Sequence, residues 1–152
     1  MNYWLMKSEP GCFNMDDLKK RPKQTEPWDG VRNYQVRNMM RDEMKIGDKA
    51  FFYYSNANPS GIAGIMEVVS KAYPDQSAFD PNKKHYDPKS DPDKPTWLLV
   101  DVKFVKKFKR IIPLQELRAE PLLEEMWILR PGSRLSVTPV SKTEWDTILA
   151  LE

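Results

Sequence analysis

A pair of apolar runs separated by a compact turn cluster constrains this fold most. The runs are KAFFYYS, residues 49–55, and GIAGIMEVVSKA, residues 61–72, with NANPS between them. Aromatic and β-branched residues favour strands, and Asn, Pro and Ser favour turns. The two runs therefore predict a β-hairpin. The Gly-x-x-Gly pattern inside the second run predicts a place where another backbone approaches closely.

Three other segments predict strands. Residues 3–8 form an apolar run that stops at Pro10-Gly11, and RLSVTPV, residues 134–140, predicts a short extended segment. WLLVDVKFVKKF, residues 97–108, has the clearest alternation, which places Leu98, Val100 and Val102 on one face.

Short helices are predicted between these strands. Asn14 is suited to capping a helix that ends near Arg21, and a second helix is predicted from Asn33 to about Met44. Pro121 divides two short helical pieces, and a capping box from Ser141 to Glu144 begins the last helix. Consecutive strands with scattered helices indicate an α+β fold with a barrel-like sheet, and argue against a doubly wound fold.

The segment 74–95 is unlike the rest of the chain. It contains five prolines and five aspartates, which exclude a regular strand or a stable helix. Loops of this length in a compact domain are usually functional or disordered.

Length and composition predict one soluble intracellular domain over residues 1–150, and Leu151-Glu152 is compatible with an expression-vector remnant. The formal net charge is only +2, so a nucleic-acid partner would need a local basic patch. With one cysteine, Cys12, and no metal-ligand spacing, we expect no disulfide, metal or cofactor. No apolar run approaches membrane-spanning length, so no membrane contact is expected.

Signatures of catalysis are weak. The only histidine, His85, lies in the proline-rich segment, where a solvated role is the simplest interpretation. Lys7, Ser8 and Glu9 leave the first strand together, where acid–base chemistry or simple charge pairing are both open. No catalytic residue is assigned.

The stretch 26–40, EPWDGVRNYQVRNMM, suggests binding instead. Trp28 precedes a turn glycine and a helix start, and an aromatic ring beside amide donors suits a flat heteroaromatic ligand. Packing of Trp28 in the core is the alternative. Trp97 offers a second ring, and the basic run KFVKKFKR, residues 103–110, is either a solvated strand face or a phosphate track.

A series of motifs along nearly the whole chain resembles the EVE domain family. In order, they are WLMKSEP, WDGVRNYQVRN, YYSN, GIAGIMEVV, YPD, DPKSDPDKPTWLLVDVKF, IPLQEL and RLSVTPVSKTEW. One departure is Tyr54, at a position where many members carry histidine. The resemblance implies a PUA-like fold, which is a curved, near-closed β-barrel of about five to six strands with short peripheral helices. It also implies a relation in fold to YTH domains, which hold a methylated adenine in an aromatic cage.

The function implied by this resemblance is non-catalytic recognition of a modified base, above all modified cytosine in DNA, often in bacterial defence. Trp28 would be the main stacking wall and Arg32 and Arg134 would contact phosphate or base. The other expected base-binding residues are Lys7, Ser8, Asn33, Tyr54, Ser55, Trp97, Leu135 and Ser136.

Two alternatives remain open. PUA and YTH relatives bind RNA, so RNA is a possible partner. ASCH-type relatives hydrolyse modified nucleosides with a lysine–glutamate arrangement, which Lys7 and Glu9 resemble. We expect a monomer in a bacterial cytoplasm.

Overall fold

The computed structural model describes residues 1–132 and 134–152, and these residues contain one six-stranded mixed sheet curved into a half-barrel. The strands of this sheet are β1 (Tyr3–Ser8), β2 (Thr25–Pro27), β3 (Lys49–Tyr54), β4 (Gly61–Val68), β7 (Asp101–Pro113) and β8 (Val137–Val140). They run in the order β2-β7-β4-β3-β1-β8, with β1 parallel to β3 and all other neighbours antiparallel. A separate pair joins β5 (Tyr73–Pro74) to β6 (Leu98–Leu99). The predicted α+β class with a curved sheet of five to six strands is confirmed.

The described part of the chain has four α-helices, all short. They are α1 (Met15–Lys20), α2 (Tyr34–Asp42), α3 (Leu114–Ala119) and α4 (Lys142–Leu151), and 3-10 turns cover Pro22–Gln24, Gln76–Phe79, Pro121–Leu123 and Trp127–Leu129. Asn14 forms a capping box at the start of α1, and Ser141 forms the predicted capping box at the start of α4. Helix α4 continues through Leu151.

The helices cover opposite faces of the sheet. On one face, α1 and α2 pack over a core that contains Trp4, Trp28 and Phe52. On the other face, α3, α4 and the 3-10 turns between them cover Leu5 and Phe51. Alternation along β1 and β3 sends neighbouring side chains to the two cores, so both faces of the central strands are buried.

The predicted hairpin is present as β3 and β4, and β4 also pairs with the long strand β7. A Cβ at Gly61 would collide with the carbonyl oxygen of Ile112, and one at Gly64 with that of Lys106. Both positions therefore require glycine, as the Gly-x-x-Gly pattern predicts. Bulges beside these contacts let β7 bend around the barrel.

The proline-rich segment is ordered by a repeated turn. Asp80, Asp87 and Asp91 each precede a proline, and each accepts a hydrogen bond on its side chain from the backbone N–H two residues later. In each turn, the carbonyl of the aspartate also accepts from the N–H three residues later. Proline favours the second position of such turns, and aspartate favours the first.

Two features differ from the sequence predictions. The sequence predicts no strand over residues 25–27, but β2 pairs with β7 there and forms one edge of the sheet. The strand predicted from residue 97 divides into β6 and β7, and β7 continues to Pro113. Among the described residues, no helix combines the length and apolar character needed to cross a bilayer.

Candidate functional site

A cavity of about 500 Å³ opens at the carboxyl end of β1. It is bounded by the end of β1, the loop before α1, and the segment from α1 to the turn after β2. Loops that contain Ser55, His85 and Arg134 complete the boundary. The lining residues are Lys7, Ser8, Glu9, Cys12, Phe13, Arg21, Glu26, Pro27, Trp28, Asp29, Gly30, Val31, Ser55, Lys84, His85, Arg134 and Ser136.

Backbone hydrogen bonds bring these distant segments together. Because β1 and β3 are parallel, their carboxyl ends are adjacent, and the Ser55 N–H donates to the Ser8 carbonyl over 3.0 Å. The Lys7 N–H donates to the Ser136 carbonyl over 2.8 Å, which fixes the chain before β8. The Trp28 N–H donates to the Val100 carbonyl over 2.8 Å.

Trp28 forms a rigid wall of the cavity. Trp28 is only 6% exposed, and its ring meets the Phe52 ring edge-on, with a distance of 5.3 Å between the ring centroids. Phe13 is half-buried, meets Trp28 edge-on at 6.4 Å, and carries the Arg21 guanidinium 5.1 Å from its ring centroid. The indole therefore belongs to the core and to the cavity at once, and shows the cavity only a small part of its surface.

Lys7 brings a desolvated cation to the cavity. Burial lowers the pKa of Lys7 from its ordinary value. Among the residues that the structure describes, no acceptor lies within hydrogen-bonding distance of its Nζ atom. An ammonium in this state gains most from an acceptor on a bound molecule.

The remaining polar groups are partly engaged. The Ser8 hydroxyl donates to the Phe13 carbonyl over 2.8 Å, and Arg21 pairs with Glu26 at 3.2 Å. Glu9 accepts from the Asn56 side chain over 2.8 Å. The lining thus contains both cations and carboxylates, so the cavity offers both donors and acceptors.

A buried ion pair fixes the turn after Trp28 to the proline-rich segment. Asp75 is 1% exposed, and its carboxylate accepts from the Gly30 N–H over 2.9 Å and from Arg32 Nη1 over 3.1 Å. Burial acts to raise the pKa of Asp75, but hydrogen bonds from Ser77, Gly30 and Arg32 outweigh it and hold that pKa below its ordinary value. Arg32 also donates to the His85 carbonyl from Nε, over 3.0 Å, and from Nη2, over 2.6 Å.

This pair places His85 against Gly30. Gly30 has φ +82°, and a Cβ built there would lie 2.5 Å from His85 Nε2. The imidazole therefore rests on the glycine backbone at the edge of the cavity. The described residues hold no group of three or more His, Cys, Asp or Glu side chains suited to a metal ion.

Of the predicted site residues, six line the cavity together: Lys7, Ser8, Trp28, Ser55, Arg134 and Ser136. Five do not line it: Arg32, Asn33, Tyr54, Trp97 and Leu135. Arg32 is the centre of the ion pair described above, and Leu135 packs, half-buried, against the core that includes Trp28.

The other three have structural partners of their own. Asn33 caps α2 by accepting from the Val36 N–H over 3.0 Å. The Tyr54 hydroxyl accepts a hydrogen bond from the Met15 N–H over 3.0 Å. The pKa of Tyr54 is raised, and burial is the largest cause. Trp97 is 6% exposed and donates from Nε1 to the Asp87 carboxylate over 2.7 Å.

Several lining residues have no predicted binding role, notably Phe13, Asp29, Lys84 and His85, and His85 is half-buried although a solvated position is expected for it. Asp29 and Gly30 belong to the Trp-Asp-Gly motif, so the predicted role of Trp28 already indicated this part of the chain. Lys84 and His85 had no such signal, because their position depends on a long-range contact between the proline-rich segment and Gly30.

Comparison with known proteins gives consistent results. The EVE domain family model matches residues 2–151. Human thymocyte nuclear protein 1 is 47% identical over 167 residues, covering 99% of this chain and 74% of the relative. A solved structure from Pseudomonas syringae has 46% identity and a TM-score of 0.94, covering 98% of both chains.

A further solved structure is that of the human THYN1 protein in complex with DNA containing 5-methylcytosine. It is 47% identical, with a TM-score of 0.92, and covers 99% of this chain and 97% of that chain. The ZmASCH mutant protein from Zymomonas mobilis, at 10% identity and a TM-score of 0.57, shares the fold alone. With the family match extending over almost every residue and relatives close to half identical, the chain belongs to the EVE domain family.

Proposed function

We propose that this protein binds DNA by accepting a modified cytosine into the cavity beside Trp28. The observation that carries the proposal is a cavity of about 500 Å³, a size typical of small-molecule sites. It joins a fixed indole to a desolvated Lys7, whose ammonium has no hydrogen-bond partner among the described residues. The complex of the THYN1 relative with 5-methylcytosine DNA supports the same ligand class.

The lining supplies the groups that a cytosine needs. Lys7 is a donor for the ring acceptors, and the Glu26 and Asp29 carboxylates are acceptors for the exocyclic amine. Phe13, Trp28 and Val31 give the cavity an apolar side that suits a methyl group. Burying one methyl contributes about 0.8 kcal/mol, which corresponds to about a fourfold preference over unmodified cytosine.

Access to the cavity requires the base to leave its stack. Extrusion costs a few kcal/mol from a duplex and less from a single strand. We therefore expect the same modified base to bind more tightly in single-stranded than in fully paired DNA. Arg134, which is exposed at the rim, is proposed to contact the adjoining phosphate.

The test is fluorescence anisotropy with matched oligonucleotides that carry 5-methylcytosine or cytosine at one position. Lys7→Met should weaken binding of the modified strand about 10- to 100-fold, because a charge-assisted hydrogen bond contributes about 1.5–3 kcal/mol. Lys45→Met is the matched control, since Lys45 is exposed and lies outside the cavity lining. Equal affinity for modified and unmodified strands, or a Lys7→Met variant that binds like the control, would refute the proposal.

Trp28 needs a conservative test. Because its ring is in the core, Trp28→Ala would remove about 3–5 kcal/mol of stability as well as a cavity wall. Trp28→Phe keeps an apolar ring, and circular dichroism melting shows whether the fold survives before binding is measured.

The two alternatives use the same cavity. Matched RNA in the anisotropy assay tests RNA binding, and tighter RNA than DNA binding would favour a pocket that contacts the 2′-hydroxyl. The presence of Lys7, with its lowered pKa, and Glu9 in one cavity favours testing hydrolysis. If the protein hydrolysed N4-acetylcytidine and Lys7→Ala abolished the reaction, a hydrolase activity would replace the binding-only role.

The family resemblance also supports proposals about cellular context. We place the protein in a bacterial cytoplasm, as a monomer built from a single domain over residues 1–150, with a role in bacterial defence. Sedimentation of the protein with and without oligonucleotide tests the monomeric state.

A further inference from the structure

A strip of lysines extends away from the cavity along one edge of the sheet. We define this basic strip as Lys19, Lys20 and Lys23, which are all exposed. Lys19 and Lys20 end α1, and Lys23 is in the turn that follows. Arg21, between them in sequence, lines the cavity and therefore joins the strip to it.

The elements that carry these lysines are in contact with one another. The Lys19 ammonium lies 5.8 Å from the centroid of the Phe104 ring, so the end of α1 packs over β7. Lys23 lies two residues before Thr25, the first residue of β2, and β2 leads directly to Trp28.

Among the described residues, none of the three lysines of the strip has a carboxylate within ion-pair distance. Nearby cations do have such partners: Lys106 pairs with Glu152 at 2.8 Å and Lys107 with Asp16 at 3.0 Å. With a total net charge of only +2, uncompensated lysines gathered beside the cavity form a local basic patch.

Helix stabilisation explains only part of the strip. Cations in the last turn interact favourably with a helix C-terminus, which accounts for Lys19 and Lys20. Lys23 lies outside the helix. Lys23 and Gln24 also have φ of 56° and 55°, a left-handed conformation that is unfavourable for both residue types. Such strain persists where surrounding contacts fix it, and it concentrates at functional sites.

We propose that the basic strip binds the phosphodiester backbone of the strand whose base enters the cavity. This inference rests on the proposed function, because the strip starts at the cavity rim and follows the sheet edge away from it. Phosphate contacts made by lysines are independent of sequence and release counterions, so the strip should govern the salt dependence of binding and leave base preference unchanged.

The experiment compares Lys19→Gln/Lys20→Gln/Lys23→Gln with a control of equal charge change, Lys45→Gln/Lys71→Gln/Lys142→Gln. None of the control lysines lines the cavity, and Lys45 and Lys142 lie near the end of the sheet where β1 and β3 begin. Binding of a single strand with one 5-methylcytosine is measured by anisotropy between about 50 and about 200 mM KCl. Binding of the nucleoside 5-methyl-2′-deoxycytidine, which has no phosphate, is measured by calorimetry.

Losing three single-strand phosphate contacts should reduce the slope of log K against log salt by about 2. Over that fourfold salt range, wild-type affinity then falls about 16-fold further than that of the strip variant. Nucleoside binding and the preference for 5-methylcytosine should be unchanged in the variant. If the strip variant had the same salt slope as the control variant, the strip proposal would be wrong. If the wild-type protein bound 5-methylcytosine and cytosine strands equally well, the proposed function would be wrong instead.

Discussion

Replacing Gly30 with alanine tests how the cavity edge is built. At φ +82°, alanine costs about 1–2 kcal/mol relative to glycine, and a less flexible unfolded chain returns about 0.5 kcal/mol. The new Cβ would also lie 2.5 Å from His85 Nε2 and 2.6 Å from Cδ2, so the ring must move toward water. Exposing a half-buried ring costs about 1 kcal/mol. We expect Gly30→Ala to lose about 2 kcal/mol of unfolding free energy.

A double-mutant cycle separates backbone strain from the His85 contact. In a His85→Ala background, the ring is absent and Gly30→Ala should cost only about 1 kcal/mol, which is a coupling of about 1 kcal/mol. Urea unfolding followed by tryptophan fluorescence gives each free energy, with unchanged m-values as a check on two-state behaviour. The same cost in both backgrounds would show that His85 does not rest on Gly30, and no cost in either would refute the left-handed turn.

Three further substitutions test the contacts around the cavity. Asp75→Asn should destabilise the fold by about 2–3 kcal/mol at neutral pH, because it breaks charged hydrogen bonds to Arg32 and Gly30. Because folding lowers the pKa of Asp75, the ionised carboxylate stabilises the folded state above about pH 4, and this stabilisation is lost as the pH falls through the folded-state pKa. The free energy of unfolding should therefore fall less steeply with acid in Asp75→Asn than in the wild-type protein. Lys7→Met should be at least as stable as wild type in thermal melts at neutral pH, because burial disfavours the Lys7 ammonium in the folded state; a clear loss of melting temperature would contradict this. Asn33→Ala should lose about 1 kcal/mol by removing the α2 cap while nucleic-acid binding stays intact, and a binding defect beyond that loss would instead support the predicted base contact of Asn33.

Local patterns predicted most of the fold. Strand β1, the β3–β4 hairpin and the capping box of α4 depend on neighbouring residues, which a sequence displays directly. β2 was missed because a three-residue edge strand has too few residues to show alternation, and its pairing with β7 is a long-range contact.

Prediction of the site was less complete for a related reason. Asn33 and Trp97 are the residue types expected in a base pocket, but nearer structural partners, the Val36 N–H and the Asp87 carboxylate, engage them. Lys84 and His85 reach the cavity only through the buried pair of Asp75 and Arg32, which no spacing in the sequence reveals.

The three Asp-Pro turns have a consequence for how this family of proteins can vary. Each turn closes within four residues, so its order depends little on the length of chain on either side. The turn that begins at Asp91 lies between Asp87 and Trp97, which are linked to each other by a side-chain hydrogen bond. Removing or duplicating that four-residue unit would change the length of the loop that the Asp87–Trp97 hydrogen bond closes, while the six-stranded sheet kept its structure.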